Sequence, residues 1–167
     1  MTRKRILIVG GVAGGATCAA RIRRLCEACE IIIFEMGSYV SFANCGLPYF
    51  IGDVIVDEEK LLVATPELFK SRFNIQVCTD TEVLSINRAD KTLEVRDLAT
   101  GRNRLERYDA LVLSTGASAV WPDIDGIHLP GIYALRTIPD SREIRAALDT
   151  MTRAVVMGAA DIPHPTR

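Results

Sequence analysis

Apolar residues recur along this chain at two spacings, and the two predict different elements. Arg5–Val9 and Ile31–Glu35 are short β-branched runs and read as strands. Between them Gly10–Gly15 is a glycine-rich turn. Ala16–Cys26 carries helix formers, with apolar and small residues on one face and Arg21, Arg23 and Arg24 exposed. Strand, turn, helix and strand in this order make a βαβ unit, whose crossover sets the two strands parallel. Cys45–Phe50 opens another helix, with Pro48 placed early where a missing N–H does no harm. Thr65-Pro66-Glu67 reads as a further helix start, Thr as N-cap and Pro at the first helical position.

The period then changes to two. Ile75–Cys78, Glu82–Asn87, Thr92–Asp97 and Asn103–Tyr108 alternate and are separated by turn residues, which predicts a strand followed by an antiparallel meander. Ala110–Ser114 is a continuous apolar run, as expected of a buried central strand. Trp121–Pro130 is a loop, Ser141–Asp149 a short helix, and Ala154–Gly158 one more buried strand. Val155–Gly158 looks like the opening of a second βαβ unit, but Pro163 and Pro165 prevent the helix that should follow. The chain is therefore expected to stop inside an element. The fold class predicted is α/β, a Rossmann-like domain with a parallel sheet and an antiparallel meander, truncated at the start of a second Rossmann-like domain.

Composition narrows the function classes. At 167 residues, 49% hydrophobic and 25% charged, the chain suits an ordinary globular protein with a real core. A net charge of −1 gives no electrostatic case for nucleic acid or a membrane surface. The apolar runs are too short for a membrane span, and the basic start lacks a signal peptide's apolar length, so a cytoplasmic address is expected. Five cysteines without scaffold spacing suit a reducing compartment. Cys26-Glu27-Ala28-Cys29 ends a helical stretch, where a thiolate gains nothing from the helix, and is read as incidental. A metal site would need a second pair, so no metal is assigned.

The candidate chemistry begins at Gly10-Gly11-Val12-Ala13-Gly14-Gly15. Following a strand and opening a helix, this run has the context of a dinucleotide fingerprint. Gly10 permits the tight turn and Gly15 the close helix–strand packing, while Val12, Ala13 and Gly14 line the pyrophosphate at the helix N-terminus. Val12 departs from the usual glycine. Glu35 ends the second strand twenty residues after Gly15, where a carboxylate accepts from ribose hydroxyls. NAD and FAD both fit this unit. Ser114-Thr115-Gly116-Ala117, after a buried strand and Asp109, favours FAD, because its small residues let the chain pass close to an extended cofactor.

Together with Ser41-Phe42-Ala43-Asn44-Cys45-Gly46-Leu47-Pro48-Tyr49, these segments give the chain a family likeness. From about residue 5 to 158 it resembles the single-cysteine, flavin-dependent pyridine nucleotide–disulfide oxidoreductases, and among them the coenzyme A-disulfide and NADH-dependent persulfide reductases. The resemblance makes Val12 normal. It implies that Cys45, with Asn44, is catalytic and cycles between thiolate and mixed disulfide beside FAD, with NAD(P)H as hydride source. A thiol at a helix N-terminus also gains from the helix dipole. Phe50 stands where two-cysteine reductases carry their second cysteine, so the partner is an external thiol, CoA in type, or Cys45 becomes sulfenic acid.

By the same resemblance Arg21 and Arg24 meet CoA phosphates, with a solvated helix face as the alternative, and Ser41 and Asn44 meet the pantetheine arm. Val83 and Arg136 are assigned to the cofactor. The parent is expected to be a homodimer. The domains implied are 1–118, the first FAD-binding segment; 119–153, a linker and short helix; and 154–167, an aborted start of the NAD(P)H-binding domain, its fingerprint altered at Gly158-Ala159-Ala160-Asp161. Three readings follow: the FAD-binding part of a CoA-disulfide or persulfide reductase; an NADH oxidase or peroxidase working through sulfenic acid; or a flavin-binding fragment without turnover.

Overall fold

The structure, a computed structural model, describes residues 3–157. In chain order its elements are β1 (Arg5–Val9), α1 (Gly14–Leu25), β2 (Glu30–Phe34), α2 (Leu47–Ile51), α3 (Pro66–Phe73), β3 (Gln76–Cys78), β4 (Thr81–Asn87), β5 (Thr92–Asp97), β6 (Asn103–Arg107), β7 (Ala110–Leu113) and α4 (Ile138–Leu148). Short 3-10 turns occupy Asn44–Gly46 and Glu58–Leu61. The chain divides into two compact units, one of Met1–Phe42 and Leu62–Gly116, the other of Ala43–Leu61 and Ala117–Arg167.

The first unit has three layers. Its central sheet runs β3-β2-β1-β7, all parallel, with Ile6 beside Ile31 and Ala110, and Val9 beside Phe34 and Leu113. Alternate residues of one strand face opposite layers. Ile6, Ile8, Ile31 and Ile33 therefore join Ala16, Ala19 and Phe69 on the helical face. Leu7, Ile32 and Phe34 join Leu93 and Val95 of the meander on the other. Because both faces are covered, β1 and β2 are apolar without alternation. The meander β4-β5-β6 has one dry face, so β5 alternates: Leu93 and Val95 are buried between Thr92, Glu94 and Arg96.

Arg5 braces three of these strands. Its guanidinium donates to Glu30 of β2 at 3.2 Å and to Glu106 of β6 at 2.7 Å, while its backbone N–H donates to Asp109 at 2.6 Å. Burial pushes the Glu106 carboxyl up, but hydrogen bonds from Arg104 and Arg5 outweigh it and hold the group below its ordinary value. Helix α3 starts as expected, Thr65 accepting from the Leu68 N–H at 3.3 Å with Pro66 in the first turn, and it closes on Asn74 in the left-handed region.

Several expectations need correction. Among the described residues β7 is an edge strand, not a central one: it pairs there with β1 alone, and Leu113 is 58% exposed. Ala154–Met157, expected as a buried strand with Gly158, forms no strand; Val155 is 96% exposed, and no described strand offers it backbone partners. Gly158 and the altered fingerprint lie outside the described residues. Arg23 is half-buried rather than exposed. Cys26 and Cys29 are not incidental: a disulfide joins them, because α1 ends at Leu25 and the extended backbone of Cys26 brings the two Cα atoms to 5.5 Å.

In the second unit, α2 packs against α4. Arg145 lies 4.5 Å over the Phe50 ring and pairs with Asp53 at 2.7 Å, and Arg142 pairs with Glu58. Helix α4 begins three residues before the expected Ser141. Thr137 caps it, its hydroxyl accepting from the Asp140 N–H at 3.3 Å while the Asp140 carboxylate accepts from the Thr137 N–H at 2.7 Å. Ser141 is buried inside the helix, its hydroxyl donating to the Ile138 carbonyl at 2.6 Å.

Candidate functional site

Within the first unit, three predicted segments meet at the carboxyl ends of β1, β2 and β7, the edge where open parallel sheets receive ligands. Gly10 leaves β1 at φ +91°, and a Cβ there would stand 2.1 Å from the Ser114 carbonyl oxygen. Gly15 is closed from the other side, since its Cβ would stand 1.8 Å from the Gly10 carbonyl oxygen. Gly14 faces the Ser114 side chain, to which a Cβ would come within 3.2 Å. The glycine turn and the Ser114-Thr115-Gly116 segment are thus in contact, and Thr115 and Gly116 are exposed beside it.

Helix α1 starts at this turn without a side-chain cap and without an acidic residue in its first turn. Its first N–H groups have no intrahelical acceptors. Over 12 residues the helix adds a dipole whose positive end favours an anion. Ala13 and Gly14 are exposed there, and Val12 is half-buried. The Glu35 carboxylate accepts from the Gly11 N–H at 2.6 Å and from the Gly37 N–H at 3.0 Å, which fixes a half-buried acid beside the turn. An uncapped helix N-terminus, a glycine-lined approach and a positioned carboxylate fit the pyrophosphate and ribose of a dinucleotide.

Sequence reasoning missed one participant, Gly11. It is buried, its N–H holds Glu35, and a Cβ would come within 2.8 Å of Val40 and 2.9 Å of Ile33. The signal was the paired glycine after the strand. Ser41 also joins this turn: its backbone is left-handed at φ +50°, its N–H donates to the Gly11 carbonyl at 3.0 Å, and its carbonyl accepts from Val63 at 2.8 Å. Val83 packs its side chain against the apolar cluster between sheet and meander. Arg21 and Arg24 lie exposed on α1.

Cys45 belongs to the second unit. It sits in the 3-10 turn Asn44–Gly46, one residue ahead of the Gly46 N-cap of α2, so the α-helix starts at Leu47 and not at Cys45 as expected. α2 has only five residues, so its dipole is short. The turn is shaped by packing: the Ala43 N–H donates to the Leu61 carbonyl at 2.8 Å, and a Cβ on Gly46 would stand 2.8 Å from the Leu61 side chain. The Cys45 thiol is exposed and Asn44 half-buried. At Cys78, a half-buried cysteine, burial pushes the thiol up and makes it a poor nucleophile. Arg136 donates through Nε to the Ala117 carbonyl at 2.9 Å, directly after the Ser114–Gly116 segment in sequence.

Among the described residues, no group of three or more His, Cys, Asp or Glu side chains is placed to hold a metal ion, and no helix is long and apolar enough to cross a membrane.

Comparison with known proteins bears on these sites. The family model described as pyridine nucleotide-disulphide oxidoreductase matches residues 4–162. A coenzyme A disulfide reductase of Staphylococcus haemolyticus is 42% identical over 161 residues, which cover 95% of this chain and 36% of that protein. Among solved structures, the reduced Bacillus anthracis CoADR-RHD superposes with a TM-score of 0.86 at 46% identity, covering 90% of this chain and 27% of its own. A NAD-dependent persulfide reductase from A. fulgidus gives a TM-score of 0.83 at 33% identity, covering 87% of this chain and 27% of its own. The chain thus spans about a third of the length of the curated relatives it matches.

Proposed function

Since the chain belongs to the pyridine nucleotide-disulphide oxidoreductase family, we propose that its first unit is the FAD-binding part of a longer reductase and that Cys45 is the thiol exchanging with a CoA-type disulfide. Enzymes of the family are FAD-dependent oxidoreductases that use NAD(P)H. The observation carrying the proposal is the meeting of the Gly10–Gly15 turn, Glu35 and the Ser114–Gly116 segment at one sheet edge. In this reading the α1 N-terminus holds the pyrophosphate, Glu35 a ribose, and the Ser114–Gly116 segment passes along the cofactor. Bound FAD supplies a two-electron carrier between a pyridine nucleotide and sulfur.

The role of Cys45 follows from its exposure and its lack of a neighbouring thiol in sequence. Its thiolate attacks one sulfur of CoA–S–S–CoA, the S–S bond breaks, CoA thiolate leaves, and Cys45–S–S–CoA forms. Returning that mixed disulfide to thiolate consumes two electrons. Exposed Arg21 and Arg24 are the proposed phosphate contacts of CoA, and Ser41 and Asn44 those of its pantetheine arm. Turnover is proposed for the parent protein, because these residues span 36% of the relatives' length.

The test is exchange itself. Purified chain incubated with CoA disulfide is examined by intact mass and peptide mapping. A CoA adduct on Cys45, absent from Cys45→Ser, is the expected result. Adducts confined to Cys18 or Cys78 would overturn the assignment.

A further inference from the structure

The C-x-x-C pair lies outside the site described above, yet it has the parts of a second sulfur centre. Cys26 is the C-cap of α1, and Cys29 stands one residue before β2. The two are unequally accessible: Cys26 is half-buried, whereas Cys29 is 2% exposed within the core beside Ile31 and Phe69. An accessible sulfur paired with a sheltered one is the arrangement in which one thiol meets a partner and the other resolves it.

Arg23 holds the loop closed by other means. Its Nη1 donates to the carbonyls of Cys26 (3.1 Å), Glu27 (2.5 Å) and Cys29 (2.7 Å). Its Nε and Nη2 donate to Phe73 at 2.7 Å and Asn74 at 2.9 Å, tying the same loop to the end of α3. Two consequences follow. The guanidinium brings positive charge to a helix C-terminus, where the dipole alone disfavours a thiolate. The loop is also held by these hydrogen bonds and not by the S–S bond alone, which favours keeping the two sulfurs close after reduction. A bridge across a separation of three residues closes a small ring and constrains the unfolded chain less than a long-loop staple would. Its chemistry is thus a better account of it than its contribution to stability.

We propose that Cys26 and Cys29 form a dithiol–disulfide centre that reacts with low-molecular-weight disulfides, with Cys26 as the attacking thiol and Cys29 as the resolving one. From the reduced pair, the Cys26 thiolate attacks R–S–S–R, forming Cys26–S–S–R and releasing RS⁻. The Cys29 thiol gives up its proton, its thiolate attacks Cys26 Sγ, and the second RS⁻ leaves. Two protein thiols are oxidised to one disulfide, one R–S–S–R is reduced to two R–SH, and the two protons lost by the protein are the two gained by the leaving thiolates. The proposal is independent of the roles assigned to FAD and Cys45.

The experiment uses the full chain carrying Cys45→Ser, so that the Cys45 reading and this one fail separately. The protein is reduced, freed of reductant anaerobically, and given glutathione disulfide; species are followed by alkylation, peptide mapping and intact mass. The expected result is return of the Cys26–Cys29 disulfide, with a glutathione adduct accumulating on Cys26 in Cys29→Ala. Alkylation of the reduced, otherwise unsubstituted pair is expected to be about tenfold faster at Cys26 than at Cys29, a readout that does not depend on a core variant folding. Equal alkylation rates, adducts forming first on Cys29, or a reduced pair that stays dithiol through excess glutathione disulfide would each overturn the proposal.

Discussion

Two turns carry the candidate chemistry of this chain, and they are specified in opposite ways. At Gly10–Gly15 the neighbouring backbone leaves no room for alternatives: Gly10 and Gly15 are each closed by a carbonyl oxygen within about 2 Å of where a Cβ would stand. At Asn44–Gly46 the first atom a Cβ on Gly46 would meet is the tip of the Leu61 side chain, at 2.8 Å, while Cys45 is exposed. The first site is therefore a property of the fold, and the second a property of one atom carried on it. Substitution at the first should remove structure and binding together; substitution at the second should remove chemistry alone.

The largest effect expected is at Gly15. Gly15→Ala drives a methyl into the Gly10 carbonyl, which only a backbone shift relieves, so stability should fall by more than about 4 kcal/mol in urea unfolding. A loss under about 1 kcal/mol would break the contrast. Gly46→Ala meets the flexible end of Leu61 at 2.8 Å and should cost roughly 1–3 kcal/mol. If it proves as damaging as Gly15→Ala, the second turn is as rigidly specified as the first.

A smaller effect isolates the first unit by pH. Glu106 titrates below its ordinary 4.5 in the folded state because Arg104 and Arg5 hydrogen-bond its charged form against the opposing effect of burial. Its contribution is thus fully present above the unfolded value near 4.5 and is lost as pH falls through the lower folded value. Glu106→Gln should reduce stability at neutral pH by about 1 kcal/mol and flatten the acid limb of the pH–stability curve. An unchanged acid limb would remove Glu106 from the account. Smallest of all, Cys45→Ser should alter stability by less than about 0.5 kcal/mol while abolishing the CoA adduct, since the side chain is exposed.

What the sequence made legible divides along the same line. The βαβ unit, the meander and the Thr65 cap were readable because their signals are local: continuous apolar runs, alternation, and a capping residue ahead of proline. The start of α4 was equally local, since Thr137 and Asp140 form a capping box, but the box lay ahead of the segment taken as helical. The edge position of β7 was not readable, because an apolar run says that both faces are covered and not whether both sides are paired. The carbonyl cage of Arg23 joins residues 50 apart, such as Phe73, and no periodic pattern encodes it. At the sites, the meeting of Gly10, Gly15 and Glu35 at one sheet edge was legible through a spacing imposed by the fold, whereas the roles proposed for Cys45 and Asn44 rest on resemblance.

The central claim is that the first unit binds FAD with Glu35 as one of its holds, and equilibrium binding tests it most directly. Purified chain titrated with FAD, with flavin fluorescence followed and folding checked by circular dichroism, should show saturable one-to-one binding. Glu35→Gln should weaken it about tenfold, the loss of roughly one charge-assisted hydrogen bond. A folded chain that does not bind FAD, or one whose affinity is indifferent to Glu35→Gln, would contradict the account.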